Sequence, residues 1–159
     1  MFDDIDLRIM NILQQDARTS NADIARQLGM APSAIFERMR KLEARGTVRG
    51  YEARLEPRQL DLGLLAFIFV RADECVGTMT AGALLARIPA VQEVHHIAGE
   101  DCYLVKVRVA DTEALGRLLR DHFGAIGAIR STRTTIVLST LKESATLSLP
   151  GAEHEVFHE

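Results

Sequence analysis

Apolar residues recur at helical spacing through the first forty-five positions and in strand-like runs beyond them. Ile5, Ile9, Ile12 and Leu13 are spaced by threes and fours, which places them on one stripe of a helix that Asp3 or Asp4 can cap and that extends to about Ala17. The polar run Arg18-Thr19-Ser20-Asn21 breaks the pattern. Ser20 or Asn21 can then cap a short second helix with Ile24, Ala25 and Leu28 turned inward. Gly29 ends it, and Pro32 is placed as the first-turn proline of a third helix. In that helix Ile35, Met39 and Leu42 read as one face and Ser33, Ala34, Glu37, Arg38, Lys41 and Arg45 as the other, until Gly46.

Residues 51–63 carry Pro57 and little periodicity, and read as a strand and linker between domains. The run Leu64–Val70 is continuously apolar, as expected for a strand covered on both sides. A helix follows with Met79, Leu84, Leu85 and Ile88, then a strand over Val91–Ala98, a turn at Gly99 and a strand over Tyr103–Val109. A second helix holds Leu115, Leu118, Leu119 and Phe123, and a last strand spans Thr134–Leu141. The order βαββαβ is that of the ferredoxin-like split unit. The fold class is therefore α+β: a helix-turn-helix, winged-helix-like domain over 1–50, a linker over 51–63, a ferredoxin-like domain over 64–148 and a disordered tail over 149–159. In such a unit one sheet face takes both helices. An apolar patch left on the other face marks a partner surface, so the simplest expectation is a sheet-to-sheet homodimer.

Charge sharpens the reading of the first domain. The 159-residue chain has a net charge of −3, which argues against a generally nucleic-acid-binding surface. Its distribution is uneven: residues 31–50 hold five Lys/Arg against two Asp/Glu, while 51–159 hold eleven against fifteen. A local basic patch on an acidic protein is how a selective binder holds DNA at one face. Three short helices with a Gly-containing turn and a basic third helix describe a helix-turn-helix whose third helix enters the major groove. Ser33 and Ala34 then approach base edges, Arg38 and Lys41 reach bases or phosphates, and Glu37 accepts from a cytosine or orients Arg38 or Lys41. Arg45 and the flanking Arg49 extend the same interface. For any single helix a small structural bundle with a solvated face is the plainer alternative. The ordered set favours DNA.

Other chemistry is sparse. Cys75 and Cys102 lack disulfide or zinc-ligand spacing, which fits a reducing cytoplasm, and no apolar run is long enough to span a membrane. The adjacent His95 and His96 point to opposite faces of a strand and cannot readily chelate one ion, so no metal site is expected. No nucleophile, phosphate loop or dinucleotide fingerprint stands out, so neither a catalytic residue nor a cofactor is expected. The segment Ala98-Gly99-Glu100-Asp101-Cys102-Tyr103-Leu104 is open to two readings. It is an acidic hairpin turn, or a loop whose glycine admits a ligand carboxylate while Glu100 and Asp101 hold its ammonium.

The segment ADIARQLGMAPSAIFERMRKLEARGTVRGYEARLEP, with Ile5-Asp6, Ile9 and Leu13 before it, resembles the Lrp/AsnC (feast/famine) regulators over about residues 3–145. The resemblance implies a double-stranded DNA partner, a dimer that often closes into tetramers or octamers, and a small-molecule effector, an amino acid. It also implies that the effector loop reads G-D-x-D-Y and binds at an interface between dimers. Gly99 and Tyr103 match that pattern, Glu100 matches its first acid by charge, and Cys102 stands where the second aspartate is common, with Asp101 displaced by one position. Gly99, Glu100, Asp101, Cys102 and Tyr103 are the effector-binding residues so implied. At Ala31 the family often has a capping Ser, whose loss costs the helix about 1 kcal/mol. An alternative comes from siroheme decarboxylases, which are similar in both domains and act as enzymes.

Overall fold

The computed structural model describes residues 2–74 and 78–150. Helix α1 spans Asp4–Gln15, α2 Asn21–Leu28 and α3 Pro32–Ala44. The starts of α1 and α2 are fixed by side chains that satisfy otherwise unpaired backbone donors. The Asp3 carboxylate accepts from the Asp6 N–H at 2.8 Å, and the Ser20 hydroxyl accepts from the Asp23 N–H at 3.1 Å. At the end of α2 the backbone turns left-handed at Gly29, φ 66°, a conformation that costs glycine least. Ala31 gives α3 no side-chain cap, and Pro32 supplies the first turn instead. Ile9, Met10, Leu13, Ile24, Ala25, Ile35, Met39 and Leu42 close into one buried cluster. Each large side chain in it contributes about 1.5–3 kcal/mol by leaving water, enough together to hold helices this short.

The second sheet-and-helix unit is ferredoxin-like. Strands β1 (Leu64–Ala72), β2 (Val91–His96), β3 (Tyr103–Val109) and β4 (Ile129–Ile136) pair antiparallel in the order β2-β3-β1-β4. Helix α4 (Thr80–Leu85) and helix α5 (Thr112–Arg117) lie on one face, and α5 runs on into a wider π-type turn over Leu118–Phe123. Period-two alternation puts Ala66, Ile68 and Val70 beside Val107, Val105 and Tyr103 beneath those helices, and all six are buried.

Within one chain the helices cover only one side of β1, and the opposite sheet face is partly open. Phe67 and Phe69 are only half-buried there, and their β3 neighbours are Lys106 and Leu104. The Arg133 guanidinium lies 3.9 Å from the centre of the Phe69 ring, so charged side chains supply part of the cover. The last strand is also displaced from the Thr134–Leu141 expectation. Pairing ends at Ile136, apart from one further bond from the Val137 N–H to the Leu65 carbonyl, and Leu138 and Leu141 are 95% and 97% exposed. β1 itself continues to Leu64, but its ladder with β4 stops at Ala66 and Ile136, so Leu138 and Leu141 lie past the end of the pairing. Residues 51–56 are extended without a sheet partner among the described residues, and Pro57–Leu60 forms a 3₁₀ turn, so the strand expected over 51–63 is absent from the described chain.

The chain divides into two compact units, one of residues up to Arg54 together with those from Glu143, the other Leu55–Lys142. Residues 143–150 group with the first unit, whereas the sequence pattern assigned everything to 148 to the second. Gln14 receives the Leu147 N–H at 2.7 Å on its amide oxygen and donates to the Leu147 carbonyl at 3.1 Å. Leu149 packs against the three-helix core. Of the tail expected to be disordered, the part from Gly151 on lies outside the described residues, as does Cys75.

Candidate DNA-binding face and effector loop

Helix α3 turns its buried stripe of Ile35, Met39 and Leu42 into the three-helix core. At about 100° per residue the middle of the opposite face falls on Ser33, Glu37, Arg40, Lys41 and Ala44. All five are exposed. Arg45 and Arg49 are also exposed, beyond the last turn. On this face the Arg40 guanidinium donates to the Glu37 carboxylate at 2.9 Å. The Glu43 carboxylate accepts from the Tyr51 hydroxyl at 2.8 Å. Burial of the phenol, then its bond to Glu43, pushes the Tyr51 pKa up to about 12.

Two residues assigned to the outer face sit elsewhere. Ala34 is half-buried. Arg38 lies on the flank of α3 that turns toward the start of α1, where its guanidinium meets the Asp3 and Asp6 carboxylates, each at 2.7 Å. These bonds hold Arg38 above its ordinary pKa, Asp3 contributing most. Asp3 is held below its ordinary value, by the Asp6 N–H first and Arg38 second. Arg38 therefore ties the third helix to the first.

In the second unit the turn between β2 and β3 carries the five effector-loop residues. Gly99 has φ 136°, a backbone conformation that side chains disfavour, and it is exposed together with Glu100. The other three are anchored. The Asp101 carboxylate accepts from Arg133 of β4 at 3.0 Å. The Cys102 thiol donates to the Ala72 carbonyl at 3.3 Å, and its N–H donates to the Val70 carbonyl. Tyr103 turns beneath α4, its ring against Gly82 and its hydroxyl donating to Glu74 at 2.6 Å. Burial, then the Glu74 carboxylate, pushes the Tyr103 pKa up to about 12, while the Tyr103 hydroxyl and then the Ala81 N–H draw Glu74 down. The loop thus offers Gly99 and Glu100 outward on a base fixed by Asp101, Cys102 and Tyr103. His95 and His96 take opposite faces. His95 contacts Glu93 at 3.2 Å, and the His96 ring lies 5.4 Å from that of Tyr103.

Both halves match known families in the order their geometry implies. Residues 2–43 match the AsnC-type helix-turn-helix domain, and residues 65–147 match the Lrp/AsnC ligand binding domain. The chain belongs to the Lrp/AsnC family. Among its Lrp/AsnC relatives, the leucine-responsive regulatory proteins of Salmonella typhimurium and Escherichia coli K12 are each 34% identical over 144 residues, covering 89% of this chain and 88% of the relative. Solved Lrp/AsnC structures share the whole architecture. Escherichia coli AsnC is 28% identical with a TM-score of 0.84, the alignment covering 92% of this chain and 98% of that one. A feast or famine regulatory protein of Mycobacterium tuberculosis complexed with L-methionine is 34% identical, with a TM-score of 0.85 and coverage of 92% and 99%.

As an Lrp/AsnC protein the chain presents side chains that its sequence pattern did not single out. Arg40 is the clearest, because helical periodicity alone places it nearer the middle of the outer face than Arg38. Arg133 and Glu74 were hidden for a different reason. Both reach the effector loop across the sheet from residues about thirty positions away, a pairing that only strand order creates.

Proposed function

We propose that this regulator binds operator DNA as a homodimer through its paired third helices, and that an amino acid at the Gly99–Tyr103 loop changes its assembly or DNA affinity. The carrying observation is the exposed cationic face of α3 on an AsnC-type helix-turn-helix, joined to a ligand binding domain of the same family. Ser33 and Glu37 face base edges, and Lys41, Arg45 and Arg49 supply phosphate contacts. The L-methionine complexes of the Neisseria meningitidis and Mycobacterium tuberculosis regulators support an amino acid as effector. In this chain Gly99 would admit the carboxylate and Glu100 would hold the ammonium.

Dimerisation follows from the half-covered sheet face around Phe67 and Phe69 and from the exposed Leu138 and Leu141. A two-fold dimer presents two third helices to two half-sites, and a ligand that binds one assembly better than another shifts how they are presented. The chain is read as a binding protein and not an enzyme. The test is calorimetry of the full chain against the twenty amino acids, with sedimentation followed alongside and with Gly99→Asp and Glu100→Ala compared. Binding of one amino acid that both variants weaken, with a change in oligomer, is the expected result. Equal binding by both variants moves the site elsewhere, and a stable monomer at micromolar concentration removes the dimer.

A further inference from the structure

We propose that Arg40, presented by Glu37, reads a guanine in the major groove and sets the sequence preference of the third helix. The inference rests on the DNA-binding reading above and deepens it. Side chains on a helix lean toward its N-terminus. Arg40 does so, since its Nη2 meets the Glu37 carboxylate at 2.9 Å, one turn nearer the helix start. Its guanidinium is thereby carried back over the N-terminal half of α3, the part that meets base edges in a helix-turn-helix.

Stability does not explain the pair. Both side chains are more than half exposed, and an ion pair in that setting contributes little to folding. What it does is hold a flexible side chain in one orientation with only one edge of the guanidinium occupied. The remaining N–H groups form a planar fork that matches the O6 and N7 acceptors of guanine. Excluding water on docking strengthens the Glu37 bond and keeps the fork aimed. The adjacent carboxylate also makes Arg40 a poor phosphate ligand, a task that Lys41, Arg45 and Arg49 perform as exposed charges.

The experiment is selection from random duplexes by the full-length protein, comparing wild type with Arg40→Ala, Arg40→Lys and Glu37→Gln. Wild type is expected to require a guanine at one position of each half-site. Arg40→Ala should leave that position degenerate and Arg40→Lys should relax it, with the other positions unchanged in both. Affinity for the wild-type consensus should fall by roughly 5- to 150-fold for each half-site, the range for one bidentate base contact. Arg40→Lys keeps the charge, so its salt dependence should stay that of wild type while the guanine preference weakens, a split that a phosphate contact does not give. Glu37→Gln should keep the guanine but loosen it. If the Arg40 variants select the wild-type consensus with its guanines, the inference fails while DNA binding stands. An unchanged guanine preference in Glu37→Gln overturns the presenting role of Glu37. If wild type enriches no sequence, the regulator reading fails as well.

Discussion

The guanidinium of Arg38 on α3 bridges the Asp3 and Asp6 carboxylates at the start of α1, 2.7 Å from each. Asp3 is at once the N-cap of α1, so one carboxylate both starts the first helix and anchors the third. The buried stripe of Ile35, Met39 and Leu42 sets which face of α3 turns inward, and this clamp ties the neighbouring flank to α1.

Arg38→Ala should therefore lower stability and not merely remove a DNA contact. Its two charge-assisted bonds to Asp3 and Asp6 join α3 to α1, so their loss removes a tie between the two helices. Thermal and urea unfolding should show that loss. The slope of DNA affinity against salt should stay near the wild-type value, whereas Lys41→Ala should reduce it by about one for each half-site bound. A wild-type melting temperature with a reduced slope would place Arg38 on phosphate.

The relation between sequence and structure is uneven along the chain. Caps and stops were legible, because Asp3, Ser20, Gly29 and Pro32 act on the backbone within a few residues of themselves. The buried stripe of α3 was legible from spacing, but its flanks were not. Arg38 reads as outward until the start of α1 is known to lie beside it. The end of β4 was misplaced because Val137, Leu138 and Leu141 look like a strand, and only the ladder with β1 shows that pairing stops at Ile136. In the turn between β2 and β3, the local pattern singled out Gly99 and Glu100 but left a ligand loop and an acidic turn both open. That Asp101 and Tyr103 are held by Arg133 and Glu74 could not be found from it, since those bonds join distant strands.

The closing segment should stabilise the three-helix unit. Gln14 makes two hydrogen bonds to the backbone of Leu147, and Leu149 packs on the core. A chain ending at Lys142 is expected to lose about 1–2 kcal/mol from the first unit, through part of one leucine burial and two exposed hydrogen bonds. Hydrogen exchange of α1 amides would register it. Gln14→Ala should give a smaller loss of the same kind, and unchanged α1 protection in both would make the segment a passive tail.

Gly82→Ala should displace the effector loop from behind. A Cβ built there falls 2.6 Å from Cε1 of Tyr103, a fully packed ring and not the free end of a flexible side chain. Relieving that overlap costs about 1–3 kcal/mol and must move either α4 or the residue that ends the loop. The variant should unfold at lower denaturant and bind its amino acid more weakly, with the Tyr103–Glu74 bond disturbed. Gly82→Ala with wild-type stability would show that α4 yields freely.

The two tyrosines provide a pH test of both units at once. Tyr51 and Tyr103 are the only tyrosines in the chain, and each is raised from 10 to about 12 by burial and then by a carboxylate, Glu43 and Glu74 respectively. Because the folded pKa lies above the unfolded one, the stabilisation is complete below pH 10 and is lost as pH rises through the folded value. Native protein should therefore show little tyrosinate absorbance at pH 10, where unfolded chain is half ionised. Glu74 works in the opposite sense: its lowered pKa gives stability that is present above 4.5 and lost as pH falls further. Tyr103→Phe should remove the main cause of that shift, so Glu74 should titrate nearer 4.5 and acid unfolding should begin at higher pH. A native chain that ionises both phenols near pH 10 would mean that neither hydroxyl is held by its carboxylate.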